Sequence, residues 1–191
     1  AVLNLSAVET FFPERRPFFL EGAGIFEFGA LPVSAQYGFS RFVHWRRVGR
    51  TPQLSPSGEY TDVPDQTTIL GATKLSGRTN GGLSLGFVDA VTAHEDASVV
   101  ESDGSRHGVG VEPLTNYFVG RVKKDLDDGR ATIGVLGTAT NRAMDSSFSP
   151  FLRSDGYLYG VDGLRASSNR RWTVGGYWIG SRVDGSADAI S

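Results

Sequence analysis

The feature that most limits the folding of this chain is an asymmetry of spacing that sets in after residue 66. Three pairs of strand-like runs, each run about ten residues long, are joined within a pair by tight turns and between pairs by long polar connections. Thr67 to Ser76 and Leu83 to Thr92 flank a turn at 77–82, Asn116 to Leu126 and Ala131 to Asn141 flank Asp127-Asp128-Gly129-Arg130, and Tyr157 to Ala166 and Trp172 to Arg182 flank Ser167-Ser168-Asn169-Arg170. The Asn80-Gly81 step and the Asp-Asp-Gly turn are the residue types that tight hairpins use. Side chains of a strand alternate between faces, so the runs also sort their residues into two sets. Leu83, Leu85, Phe87 and Val91 share one side and Ser84, Gly86, Ala90 and Thr92 the other, with Val88 and Asp89 breaking the alternation. Ala131, Ile133, Val135 and Ala139 oppose Thr132, Thr138 and Thr140, while Tyr117, Arg121, Lys123 and Asp125 oppose Phe118 and Val122. Trp172, Val174 and Trp178 are in phase, with Gly176 and Gly180 between them. The pattern predicts an all-β, antiparallel, up-and-down meander. A glycine count of 25 and the scarcity of helix-forming windows agree with that class.

Strand length and loop asymmetry narrow the prediction further. Membrane-spanning strands take about 9–11 residues, with short turns at one end and long loops at the other, whereas strands of soluble proteins are commonly about 5–6 residues. The pattern therefore predicts part of an outer-membrane-type β-barrel, with a lipid bilayer as partner and the bacterial outer membrane or cell envelope as location; a soluble β-sandwich or barrel is the alternative. On the barrel reading Leu83, Leu85, Phe87, Ile133, Val135, Trp172 and Val174 form one exterior apolar band. Trp172, Tyr157, Tyr159 and Tyr177 are then candidates for an interfacial aromatic girdle. No apolar run is long enough for a transmembrane helix, and the first residues lack the pattern of a signal peptide. A net charge of −2 without a basic tract gives no electrostatic case for nucleic acid, and the absence of cysteine removes disulfides and thiolate metal sites.

Ahead of the hairpins stands a denser stretch. Between Phe11 and Gly29 lie six phenylalanines and a Glu14-Arg15-Arg16 core held by Pro13 and Pro17. Proline pushes the residue before it out of the helical region, so Phe12 and Arg16 are expected to be extended, and the rings must be buried against something larger. Residues 1–30 are read as an irregular plug or lining segment and 31–191 as the hairpins of an incomplete barrel. Burying Arg15 and Arg16 unpaired is costly, which makes Glu9, Glu14 and Glu21 their natural partners. Together with Arg46 and Arg47 they form an expected structural or lumen-lining ion-pair cluster. Arginines at 15, 16, 46, 47 and 50 lining a lumen would favour anionic solutes. Phe42 to Arg50 reads as a strand with a cationic end, and residues 30–41, 51–66, 93–115 and 142–155 read as loops.

The run from Leu5 to Gly22 resembles the start of the C-terminal domain of a bacterial family of unknown function, DUF5916. Arg46-Arg47-Val48-Gly49-Arg50, the segment from Ile69 to Thr79 with its Gly-Ala-x-Lys-Leu-x-Gly-Arg pattern, and Glu112-Pro113-Leu114-Thr115-Asn116-Tyr117 are similar as well. In that family an N-terminal family-9-type carbohydrate-binding module precedes an outer-membrane-like barrel. The resemblance implies a structural or transport role in envelope carbohydrate handling, with a carbohydrate ligand and further chains completing the sheet as partners. The module itself is missing from this sequence, and six or seven strands fall short of the eight of a closed barrel, so a piece of a longer protein is expected, stopping on a strand-like start at Ala189-Ile190.

Motifs of catalysis are weak by comparison. Gly82-Leu83-Ser84-Leu85-Gly86 matches a serine-nucleophile pattern in letters, but it sits in a strand after a hairpin and not on a strand-to-helix elbow. His44, His94 and His107 are too far apart for a local metal motif, and Gly22-Ala23-Gly24 lacks the third glycine and the helix of a dinucleotide site. Glu14, Glu21, Glu27, Asp89 and Asp162 are carboxylates of the type that a glycan hydrolase pairs, but strand spacing shows no convergence among them. No catalytic, metal or cofactor residue is therefore assigned. A secreted or periplasmic glycan hydrolase and a soluble carbohydrate-binding β-domain are the alternatives to a non-enzymatic barrel segment.

Overall fold

The computed structural model describes residues 14–29 and 43–190. Nine strands are found among them: β1 (Tyr60–Asp62), β2 (Ile69–Arg78), β3 (Leu83–Thr92), β4 (Glu95–Val100), β5 (Arg106–Glu112), β6 (Thr115–Leu126), β7 (Ala131–Arg142), β8 (Asp155–Ala166) and β9 (Thr173–Asp184). All pairings are antiparallel. A large sheet has the order β2-β3-β6-β7-β8-β9, and a small one has the order β1-β4-β5. The chain is thus all-β, and its main sheet is an up-and-down meander interrupted once, where the β4-β5 hairpin is inserted between β3 and β6. Among the described residues the main sheet stays open, with β2 and β9 as its edges, and no closed barrel forms.

Directly opposed residues of antiparallel neighbours share a face, so the register carries each strand's alternation across the whole sheet. Leu85 opposes Val122, Val122 opposes Val135, Val135 opposes Val161 and Val161 opposes Trp178, which makes one apolar row on the outer face. Leu83, Phe87, Ile133 and Val174 lie on that same face. It is bare: Val174 is 73% exposed, Trp178 58% and Ile133 56%. A sandwich would have buried these residues under a second sheet. The inner face carries Ser84, Val88, Arg121, Thr138 and Asp162, and the opening segment packs onto it.

That segment contains a one-turn helix, α1 (Pro17–Leu20), and a 3-10 turn over Ala23–Phe26. Arg16 is extended (φ −76°, ψ 121°), as its place before Pro17 requires, and the helix begins at the proline and does not run through it. Phe19 and Phe26 are buried with Val48, Val88 and Ala90. Trp45 stacks on Phe19 at 5.6 Å and meets Phe26 edge-on at 5.1 Å. Phe18 is not buried; it stays 39% exposed beside Lys74. Phe11, Phe12 and the expected loop at 30–41 lie outside the described residues.

Four predicted elements differ. Of the strand expected at Phe42 to Arg50, the described residues 43–50 form a 3-10 turn, Trp45–Arg47, and no strand, because a period of three aims both Trp45 and Val48 at the sheet. The supposed loop at 93–115 contains β4 and β5, which bury Ala97, Val99 and Val111. Its turn, closed by Asp103 and by Gly104 at φ 82°, carries an Asp-Gly hairpin signal. The end of the chain is a helical turn, α2 (Ala187–Ile190), whose Ala189 N–H is held by the Ser186 hydroxyl, in place of a strand start. Tyr177, expected in a girdle, opposes Asp162 on the inner face and packs against Phe28 at 5.9 Å.

Glycine makes the seat for the opening segment. A Cβ at Gly86 would come within 2.8 Å of Ile25 and 2.9 Å of Phe26, whereas one at Gly137 on the outer face would meet nothing within 4 Å. Gly86→Val should therefore cost about 1–3 kcal/mol through overpacking, and Gly137→Val should stay within about 0.5 kcal/mol. Equilibrium urea unfolding followed by tryptophan fluorescence checks the contrast.

Candidate functional site

Polar chemistry gathers at two places on the inner face. The first joins the opening segment to the middle of the sheet. Arg121 on β6 reaches across Gly134 on β7 to Asp162 on β8, and its two terminal nitrogens donate to the two carboxylate oxygens at 2.7 and 2.8 Å. A Cβ at Gly134 would stand 2.6 Å from the guanidinium, so only glycine leaves this passage open. Asp162 also accepts the Gly29 N–H at 3.1 Å, and the Phe28 ring lies 5.1 Å from the Arg121 guanidinium carbon. Charge-assisted, bidentate and with the Arg121 side chain 1% exposed, this pair links β6 to β8 and holds in place the carboxylate that receives the segment's Gly29 N–H.

The second place is a basin of about 720 Å3 at the long-loop end of the inner face. Arg47, Arg50, Arg142 and Arg153 line it, with Gln53 and Tyr117. Arg142 donates to the Arg153 carbonyl at 2.7 Å and to the Gln53 side chain at 3.0 Å. Arg50 meets Glu112 at 3.3 Å, and Glu112, fully buried, also accepts the Gln53 N–H at 2.8 Å. The Nε atoms of Arg50 and Arg142 are buried without an acceptor.

The predicted ion-pair cluster is only partly brought together. Arg16 binds Glu14 through Nε at 2.9 Å and Nη2 at 2.7 Å, and it also donates to the Val48 and Trp45 carbonyls at 2.7 and 2.9 Å. It further covers the Phe19 ring at 4.4 Å. These hydrogen bonds hold the Glu14 carboxyl down to about 2, from an ordinary 4.5. Arg15 departs from the expected pairing: its side chain is exposed, and only its N–H reaches Glu14. Glu21 departs too, since its side chain is exposed and its contact to Lys74 runs through its carbonyl. Arg46 and Arg47 sit on the exposed side of the 3-10 turn, and Glu9 lies outside the described residues.

Among the catalytic candidates, Ser84 is the second residue of β3 and faces inward, in extended strand and not on a strand-to-helix elbow. His94 pairs with Asp96 at 3.1 Å and His107 lies 3.8 Å from Glu101. Among the described residues no three His, Cys, Asp or Glu side chains come together as metal ligands. Asp89 faces outward and accepts from Asn116 at 2.9 Å, Glu27 is exposed, and Asp162 is taken by Arg121.

The family model for a domain of unknown function, DUF5916, matches residues 1–148. The chain belongs to the DUF5916 family. The DUF5916 match takes in the opening segment, the small sheet and the main sheet through β7, and so includes Arg121, Arg142 and both arginines of the opening segment. No curated protein and no solved structure matches the chain.

Two outcomes follow. Arg121→Met strands the Asp162 charge on the buried face and should cost about 3–5 kcal/mol, while adding Asp162→Leu should recover part of that loss in a double-mutant cycle of unfolding. Glu14, with its folded pKa depressed, contributes fully above pH 4.5 and loses that contribution as pH falls toward 2. Trp45 fluorescence should report an acid transition of the opening segment in this window, and Glu14→Gln should abolish its pH dependence.

Proposed function

We propose that this DUF5916 chain is a section of an outer-membrane-type β-barrel, with the bilayer against its outer face and residues 14–29 lodged on its lumen face. The observation that carries the reading is the bare apolar outer face, bounded at both ends by polar rows. At the loop end stands a polar row of Asp89, Asn116, Asn141, Asp155 and Asp184, in which Asn116 donates to Asp89 at 2.9 Å, Asn141 donates to Asp155 at 2.7 Å and to the Tyr157 hydroxyl at 2.8 Å, and Asp184 pairs with Arg182. At the turn end stand Lys124 and Arg165. On β8 the outward residues between Asp155 and Arg165 are Tyr157, Tyr159, Val161 and Gly163. Ten residues at about 3.3 Å each, tilted by about 40°, span roughly 25 Å, the height of a barrel's apolar band. Phe118, Tyr157 and Trp172 stand near the ends of this band, where an aromatic girdle belongs.

The role that fits is structural or transport-related and non-enzymatic. Glycan hydrolysis needs an acid with a raised pKa opposite a second carboxylate. The inward acids Glu14, Glu112, Asp125 and Asp162 are instead each held by an arginine. Carbohydrate binding rests on the family's attached module alone, and no residue of this chain is assigned to it.

The three tryptophans test the reading. In vesicles containing brominated lipids, Trp172 and Trp178 on the outside should be quenched and Trp45 under the opening segment spared. A Trp172→Phe/Trp178→Phe variant should lose the quenching and Trp45→Phe should keep it. A chain that stays monomeric in water and ignores vesicles would defeat the proposal. In the bilayer-folded state, Val135→Arg should cost about 2–4 kcal/mol, measured by urea titration in vesicles.

A further inference from the structure

We propose that the arginine basin on the inner face binds a soluble anion bearing carboxylate or phosphate groups. The inference deepens the barrel reading by naming the class of solute that its lumen end would accept.

Its ground is an imbalance between donors and acceptors. Of the basin's lining, Arg47, Arg50, Arg142 and Arg153 carry positive charge, and Asp155 alone is acidic. Asp155 is already engaged by Asn141, and the neighbouring Glu112 by Arg50 and the Gln53 N–H. Among the described residues both carboxylates at the basin are therefore already engaged. Arg50 and Arg142 each keep a buried Nε–H with no acceptor. The basin's arginines present more positive charge than the one acidic side chain of its lining answers, and an oxyanion would accept hydrogen bonds from them. Arginine's planar fork suits carboxylate and phosphate oxygens, and the Tyr117 side chain lines the same space. At about 720 Å3 the basin has the size of a small-molecule site and not of a single-ion niche. The contacts of Arg142 to the Arg153 carbonyl and to Gln53 fix its fork in place before any ligand arrives.

The test is calorimetric titration of the full chain, in detergent or buffer according to its solubility, with citrate, inorganic phosphate and maltose as probes. Citrate is expected to bind saturably, phosphate more weakly, and maltose not at all. Arg142→Gln should weaken citrate at least tenfold. Because Arg142 also ties two loops, Arg153→Gln, at an exposed position on the rim, provides a second reading and should weaken citrate about threefold. Arg182→Gln, which removes an outward pair with Asp184, should change nothing. Equal citrate binding in wild type and both basin variants, an equal loss with Arg182→Gln, or saturation by maltose would overturn the inference. Vesicle quenching with no citrate binding sinks this inference and leaves the barrel reading in place; citrate binding without quenching does the reverse.

Discussion

The buried pair between Arg121 and Asp162 is the contact through which the parts of this protein communicate. It connects two strands across the glycine of a third, and its carboxylate holds the backbone at Gly29. A lone guanidinium at this depth would be strongly unfavourable. The sheet can therefore carry a polar middle on its inner side only while Asp162 pairs with Arg121 and Phe28 covers the guanidinium. Farther along the same face, Gly86 gives the Phe26 ring room against the strands. Arg16 then closes the arrangement by joining Glu14 to the carbonyls of the 3-10 turn that carries Trp45.

From this follows the two-sided character of the molecule. One side of the main sheet is polar, glycine-pitted and occupied by the chain's own opening segment. The other is apolar, aromatic and uncovered, with its polar groups confined to belts at the strand ends. A water-soluble β-protein normally distributes these characters the other way, since exposed apolar patches of this extent mark contact surfaces. The small sheet, the arginine basin and the belt of Asp and Asn residues all collect at the long-loop end, whereas the opposite end has tight turns.

Most of the main sheet was legible because its alternation is regular. Leu83 to Thr92 and the start of β7 at Ala131 match the observed bounds, and the inside-outside assignment of Tyr117, Arg121, Phe118 and Val122 is that of the register. Val88 and Asp89 break the alternation of apolar and polar types but not the alternation of faces. Val88 meets the aromatic core from inside, and Asp89 belongs to the outer polar belt. The small sheet is hard to read from the sequence because polar residues surround its short apolar alternation, and only Asp103-Gly104 signals its turn. The arginine contacts were less accessible still. Arg16 and Glu14 are two residues apart and were found as neighbours, but Arg121 and Asp162 are joined only by the register of three strands, and Gly134, which permits it, has no meaning until that register is known.

One open feature has consequences for the order of assembly. The outward side of β9, twelve residues long, offers a row of main-chain donors and acceptors to which no neighbour among the described residues responds. Water can satisfy such groups and hydrocarbon cannot. If the outer face is to enter oil, zippering of another strand onto β9 has to precede or accompany that entry, so insertion and completion of the sheet become a single event.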